Sequence, residues 1–403
     1  MFKLALRNIF RQMGRTAITL AAIVFGVIGL ILSGGFVRDI TYQLGEALIH
    51  SQSGHLQVSR TGYFTHGSRS PEKYRIEKAG VIMQKIAAMP EVDAVMARTN
   101  FAGLLNNGRT DWPIIGEGVE PDKEAKLGSF MQISEGRQLT DKDNFGLTLG
   151  QGVAHALNVK PGDRVSLLLN TAEGALNNMD FEVVGVFQSF SKDYDARAVR
   201  ISLPAAQELL GSAGVNGLVL SLKKTADTDS VAAKLRAMLP AADYETRTWI
   251  QLNDFYEKTI ALYDQQFGFL QLIILAMVLL SVANTVNMSV FERVGEFGTM
   301  MSLGNRRGDV FRLVLAENAL LGLIGSGLGV VLGILLALAI SVVGIPMPPP
   351  PNANIGYTAF IRIVPLVVAG SFAVGWVATI LAALLPAVRV TRIPVVDALR
   401  QNV

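Results

Sequence analysis

Glu292, Arg293 and Glu296 lie beside Phe297, Met300, Met301 and Leu303 in one short stretch that ends at Gly304. A short interfacial helix is the simpler reading of this stretch, and a docking helix for a cytoplasmic partner the sharper one, since paired charges and flexible methionines suit a groove. Residue types that do covalent or metal chemistry are sparse. There is no cysteine, and His50, His55, His66 and His155 show no metal-ligand spacing. A surface or packing role suits each histidine better. No Gly-Lys dipeptide occurs, so the phosphate-cradling GxxxxGK[ST] loop is absent, as are HExxH and GxSxG. No Walker-type ATPase site, and no catalytic, cofactor-binding or metal site, is expected in this chain. Gly325-Ser326-Gly327-Leu328-Gly329 resembles a nucleotide loop only superficially. It sits inside an apolar run, where Gly325, Gly329 and Gly333 make two successive GxxxG steps that let membrane helices approach closely.

The elements that position these residues are four apolar runs, Thr16 to Val37, Phe267 to Phe291, Ala319 to Val343 and Ile363 to Val388, none containing a charge. Each exceeds the roughly 20 residues needed to cross a hydrocarbon core of about 30 Å. The composition agrees, at 50% hydrophobic and 17% charged. The first run is too long for a signal-peptide core and lacks a small-x-small cleavage site before Arg38, so it reads as a retained span. The net charge of +3 matters less than its placement. Lys3, Arg7, Arg11 and Arg15 precede the first span, Arg293, Arg306, Arg307 and Arg312 lie between spans two and three, and Arg389, Arg392 and Arg400 follow span four. The positive-inside rule places these segments in the cytoplasm and the large domain on the opposite face. Arginines that hug membrane boundaries speak against a nucleic-acid partner. Absent cysteine is compatible with an oxidising exterior but does not establish one.

The fold class expected is an α-helical membrane protein with four transmembrane helices and a large α+β extracytoplasmic domain inserted between helices 1 and 2. An amphipathic cytoplasmic helix occupies 1–15, spans occupy 16–37, 267–291, 313–343 and 362–388, and the outer domain occupies 38–266. The cytoplasmic connection is 292–312, a short loop 344–361 and a tail 389–403. In the outer domain, His55 to Arg60, Glu72 to Met89 and Val92 to Thr99 read as strand, helix and strand. Gly217 to Leu222, Ser230 to Leu239 and Tyr244 to Trp249 repeat that order, so the two units can pair as a split ferredoxin-like module. A β-rich insertion lies between them at about 101–211. Ile250 to Gln266 is helical in pattern and leads into span two without an obvious breaker. Pro346 and Pro348 to Pro351 make a stiff connector. Asn284 and Asn287 in span two, with Glu317 and Asn318 near the start of span three, are expected to face the helix interior. Interhelical hydrogen bonding is the simpler role for them and substrate contact the sharper one, while Glu317 can also pair near the connection.

The segment Glu292 to Gly304 resembles the ERxxEFGxMxxLG signature of MacB-like (type VII) ABC transporter permeases. Leu4 to Arg11 resembles their N-terminal ALRN-type helix, and Leu385 to Arg389 with Pro394 to Arg400 is similar to their PAxRA and ALR tail. Leu149 to Ala154 with Val159 to Asp163 resembles their LGxxLA and VKPGD pattern. The resemblance covers the whole chain and leans, through Ser53 to Val58, towards the lipoprotein-releasing LolC/LolE branch. It implies a permease paired with a second permease, identical or homologous, and with two copies of a cytoplasmic ABC ATPase that binds ATP and Mg. It implies a bacterial inner membrane, cytoplasmic termini and a periplasmic outer domain. The connection then becomes a coupling helix, carried by Glu292, Arg293, Glu296, Phe297, Gly298, Met300, Met301, Leu303 and Gly304. ATPase closure moves the outer domain by mechanotransmission, and lipoproteins or other lipophilic substrates are extracted or exported. Membrane lipid, a lipoprotein substrate and a periplasmic carrier or accessory protein complete the partners it implies. The loop by which lipoprotein-releasing members engage a soluble carrier has no recognisable counterpart here. The alternative from the same superfamily is a non-transporting signal transmitter that regulates a periplasmic hydrolase. Four spans without a mid-membrane charge disfavour a self-sufficient secondary transporter.

Overall fold

The computed structural model describes residues 13–67, 70–127, 131–171, 173–349 and 356–394. The amphipathic stretch before Met13, Pro350 and Pro351 of the connector, and the tail motif from Val395 lie outside the described residues. The described residues fall into two compact units, one within 1–42, 259–346 and 358–403 and the other within 43–258 and 347–357.

Four helices, Met13–Leu48, Asp254–Glu292, Arg307–Val343 and Pro365–Thr391, carry the apolar runs as spans one to four. The shortest has 27 residues; at about 1.5 Å per residue it is about 40 Å long, more than a hydrocarbon core of about 30 Å requires. Span four opens on Pro365, whose fixed φ suits a first helical position. Span three opens with the Asp309 carboxylate accepting from the Arg306 N–H at 3.0 Å and closes at Gly344, with φ +73°.

The membrane unit packs small residues against β-branched ones. Val278, Val282, Val286 and Val290 form a four-residue ladder on span two and are buried with Ile23, Val27 and Ile31 of span one and Ala382, Ala383 and Ala387 of span four. A side chain is missing wherever backbones must close up. A Cβ on Gly325 would lie 3.0 Å from Ile23, on Gly329 2.8 Å from Val27, and on Gly333 3.0 Å from Ile31. Span three therefore meets span one in steps of four residues along both helices. Gly375 of span four faces Val27 from another side, with its Cβ position 2.5 Å from the valine, and Gly26 faces Val278 at 2.2 Å.

Gly329→Leu is expected to lower the thermal stability of the purified protein by about 1–3 kcal/mol through overpacking, because the Val24 backbone also stands 3.3 Å from the new Cβ. Gly327→Leu is the control, since nothing stands within 4 Å of that position. Equal melting temperatures for both variants would contradict a tight contact between spans one and three.

The outer unit is built on a ten-stranded sheet. Its strands are β1 (Leu56–Arg60), β2 (Val92–Asn106), β3 (Asp111–Val119), β4 (Gln132–Gly136), β5 (Gly146–Gly150), β6 (Arg164–Asn170), β7 (Leu176–Gln188), β8 (Ala198–Ser202), β9 (Gly217–Leu222) and β10 (Tyr244–Thr248). The order is β10-β1-β9-β2-β3-β8-β5-β7-β4, with β6 paired to β2 and β7. The first four are antiparallel neighbours. With helices Ala79–Ala87 and Thr228–Met238 they form two interleaved strand–helix–strand units, the split ferredoxin-like arrangement. Alternation along β1 sends Leu56 and Val58 into a core with Ile86, Leu220, Val231 and Leu235. A second core, including Leu147, Leu149, Phe181, Val199 and Leu209, fills the β-rich part. Strand β2 joins the two, pairing β9 over its first half and β3 over its second.

Three local expectations are corrected. The helix expected over Glu72 to Met89 is a 3-10 turn at Pro71–Tyr74 and an α-helix only from Ala79. Between them Ile76 bonds Val215 in both directions, at 2.7 and 3.2 Å, which holds the backbone extended. The strand expected to end at Thr99 runs on to Asn106 because β3 and β6 supply partners. Helix Ile250 to Gln266 is not continuous: Trp249–Leu252 is a short helix, Asn253 adopts φ −125° and ψ 75°, and the long helix begins at Asp254.

Candidate functional site

Span two ends at Glu292, and the helix Val294–Ser302 follows after Arg293, whose φ of −100° and ψ of 10° break the helical run. Gly304 ends the short helix with φ +99°, a conformation that strains residues bearing a Cβ. Its N–H donates to Met301 O and that of Asn305 to Met300 O, both at 3.1 Å, satisfying the last carbonyls.

Arg293 organises the connection. Its Nη1 and Nη2 donate to the two oxygens of Glu317 on span three at 2.6 and 3.1 Å, and its Nε donates to Glu296 at 3.1 Å. The guanidinium lies 5.1 Å from the Phe297 ring centroid. Side-chain exposures of 11% for Arg293 and 9% for Glu317 place this fork largely away from solvent, where charge-assisted bonds are strong and losing one partner is costly. Phe297 is buried with Val294, Val310 and Leu313. Asn318 is also buried and donates from Nδ2 to Val314 O at 2.8 Å.

The structure thus divides the residues expected to face a partner. Phe297 and Gly298 are turned into this chain's own core, so Phe297 needs no external cover. Met300 and Met301 are half-buried, while Glu292, Leu303 and Gly304 are exposed, Leu303 at 81%. Asn284 is exposed on span two of the single chain, on the side away from the buried valine ladder. Asn287 is half-buried. Gly325, Gly329 and Gly333 line the contact with span one described above.

At its other end the membrane unit holds a cavity of about 340 Å³ between spans one, two and four. Leu30, Phe267, Val367 and Val374 give it apolar walls, while Arg38, Asp264 and Gln271 give it polar ones. Walls of that kind match a molecule with a polar head and an apolar body.

Sequence reasoning missed a buried charge network in the outer unit. Arg98 on β2 donates to both oxygens of Glu124, at 2.6 and 2.8 Å, and to the carbonyl of Gln52. Arg200 on β8 donates to Glu117 at 2.9 Å, to the Tyr194 hydroxyl at 3.3 Å and to Ser51 O at 3.5 Å. Burial opposes the ionisation of Glu117, yet the Arg200 and Arg98 charges outweigh it and hold its pKa below the usual value. The network ties β2, β3 and β8 to Ser51 and Gln52, the backbone just beyond the first long helix. A second anchor lies in the same unit. Trp249 stacks edge-on with Tyr256 at 4.6 Å, and Gly45 leaves room for the indole, its Cβ position 2.8 Å from the ring. The available signal was a lone arginine within each of the apolar strands around Arg98 and Arg200.

The model of the MacB-like periplasmic core domain matches residues 16–238, and that of the FtsX-like permease C-terminal region matches residues 268–395. An uncharacterized ABC transporter permease of Methanocaldococcus jannaschii is 26% identical over 223 residues, 53% of this chain and 54% of that protein. The lipoprotein-releasing system transmembrane protein LolC of Neisseria meningitidis is 24% identical over 336 residues, 80% of this chain and 76% of that protein. The chain thus spans about half the length of the first relative and three quarters of the second. The periplasmic region of MacB from Actinobacillus actinomycetemcomitans aligns with 53% of this chain and 95% of that structure, at 16% identity and a TM-score of 0.38.

Proposed function

Because the chain belongs to the family of the MacB-like periplasmic core domain and carries an FtsX-like permease region, we propose that it is the moving permease subunit of a transporter whose ATPase is a separate chain. It is an ABC transporter permease of this type, multi-pass in the membrane, with an extracytoplasmic domain. In the proposed cycle a cytoplasmic ATPase, two copies binding ATP and Mg, docks at the two ends of the short helix, through the flanking Glu292, Leu303 and Gly304. The Arg293–Glu317 fork passes its movement to span three. Spans one and two carry it onward, and the outer domain changes conformation. A second permease, identical or homologous, completes the assembly in a bacterial inner membrane with both termini cytoplasmic. Lipoproteins or other lipophilic molecules are the proposed substrates.

The observation that carries this reading is helix length. Helices Met13–Leu48 and Asp254–Glu292 have 36 and 39 residues, roughly 55 Å each at about 1.5 Å per residue and well beyond a hydrocarbon core of about 30 Å. Long uninterrupted helices transmit displacement better than jointed ones. The mixed cavity between spans one, two and four supports a lipophilic substrate, and the relative named for lipoprotein release supports the same class.

The purified chain alone is expected to hydrolyse no ATP above background, and hydrolysis is expected only with a co-purifying ATPase. The decisive experiment reconstitutes that complex in vesicles and follows substrate release together with distances between spin labels in the outer domain. ATP-dependent distance changes with substrate release would support transport by mechanotransmission. Distance changes that switch on a bound hydrolase without releasing substrate would favour a signal transmitter. Magnesium-dependent hydrolysis by the isolated chain would overturn the division of labour.

A further inference from the structure

Beyond Leu48 the first long helix widens into one π-helical turn, Ile49–Ser53, which ends at Gly54 with φ +62°. Single π turns are uncommon and gather at functional positions. Glu46 and His50 stand at this joint with β1. Both lie well past the charge-free run that ends at Val37 and inside the outer unit, which begins at Gln43. Their side chains are 16% and 24% exposed, so external protons reach them.

The polar contacts here form a chain with one direction. The Leu222 N–H donates to His55 Nδ1 at 3.1 Å, so the proton of the neutral His55 ring sits on Nε2. That nitrogen lies 3.2 Å from Thr225 Oγ1, and the Thr225 hydroxyl donates to Glu46 Oε1 at 2.7 Å. Burial, then the charge of His50, pushes the His55 pKa down to about 4, which keeps this ring neutral. His50 differs. Its Nε2 lies 3.3 Å from Glu46 Oε2, and its Nδ1 lies 3.1 Å from the Leu127 carbonyl. A carboxylate and a carbonyl only accept. Neutral imidazole has one N–H, so making both contacts requires imidazolium. The titratable groups that act on this ring are Glu46 from its own helix and His55 from the loop before β1, while Asp93 of β2 acts on His55. Helix Pro121–Leu127 offers His50 a carbonyl, since its Glu124 is turned to Arg98 and its Asp122, Lys123 and Lys126 are exposed. Trp249–Leu252, packed on the same turn, carries no charge.

From this geometry we propose that His50 is a proton-operated clasp at the joint between the first long helix and the sheet. Protonated, it ties Glu46 at the helix end to helix Pro121–Leu127; neutral, it keeps one tie and releases the other. The hydrogen bond to the Glu46 carboxylate outweighs burial and raises the His50 pKa above its ordinary value. The clasp is therefore complete below the ordinary imidazole value and is lost as pH rises through the raised one. It is a property of the outer unit and does not depend on the transport reading.

The test uses the full chain in phosphatidylcholine nanodiscs, titrated from about pH 5.5 to about pH 8.5, which brackets imidazole ionisation. The chain has no cysteine, so Lys126→Cys carries one nitroxide at an exposed position beside Leu127. The label should gain mobility as pH rises, in step with the titration of one histidine resonance that is missing from His50→Gln. In His50→Gln the mobility should stay constant over this range, because an amide does not ionise. Glu46→Gln should weaken proton binding by His50 about tenfold or more and move the mobility change to lower pH accordingly. Mobility independent of pH in the labelled parent, which keeps His50 and Glu46, would overturn the proposal whatever the stability of the variants. So would an equal pH response in His50→Gln, or a His50 resonance that titrates at or below the ordinary imidazole value.

Discussion

Glu317→Ala is expected to destabilise the membrane unit by about 3–5 kcal/mol, the usual consequence of removing one member of a buried ion pair. The carboxylate accepts both Nη donors of Arg293, and without it the guanidinium is left with Glu296, whose side chain is 39% exposed, and the face of Phe297. The double change Arg293→Met with Glu317→Leu removes both charges and should recover most of that stability, because matched apolar replacements of buried pairs are often neutral. Coupling is expected not to recover. Met and Leu fill space without the directional bonds that fix the short helix against span three, so the reconstituted complex should hydrolyse ATP with little substrate release. Thermal unfolding and paired hydrolysis and release assays check both points. A single variant within about 0.5 kcal/mol of the parent, the ordinary range for a surface change, would mean that the pair is solvated. Full release by the stable double variant would reduce the fork to a structural role.

The sequence displays what depends on one element at a time. Apolar runs without charge reveal the spans because a bilayer sets their length. The GxxxG steps at Gly325, Gly329 and Gly333 are visible because their partners repeat with the same spacing. Single glycines are not, and the contacts of Gly26 with Val278 and Gly375 with Val27 emerge only from helix packing. The charge network is hidden for a related reason. Arg200 meets Glu117 across 83 residues of chain and Arg98 meets Glu124 across 26, so periodicity within either strand cannot join them. Phe297 reads as exposed from its polar neighbours, although the short helix turns that side onto span three. The break at Asn253 escapes notice because asparagine is tolerated in helices. It is pinned by its own Nδ2 donating to Trp249 O at 2.6 Å and its carbonyl accepting from the Tyr256 N–H at 2.8 Å.

That break fixes where a rigid-helix mechanism is best tested. With the long helix beginning at Asp254, the test belongs well beyond its first turns. Leu262 lies well inside and is 53% exposed, so substitution there alters the backbone more than the packing. Leu262→Pro removes an i to i−4 hydrogen bond and clashes with the preceding turn, costing about 3 kcal/mol or more. Leu262→Gly softens the same turn by about 1 kcal/mol relative to alanine, and Leu262→Ala keeps it stiff. If displacement travels along this helix, substrate release should be abolished by proline, weakened by glycine and preserved by alanine. ATP hydrolysis and ATPase binding should persist in all three, since the docking surface proposed at Glu292, Leu303 and Gly304 lies at the far end of the same helix and beyond it. The graded response is the discriminating feature. A fold defect would remove ATPase binding together with release, whereas a transmission defect separates them. Normal release by a correctly folded proline variant would exclude this helix as the route of coupling.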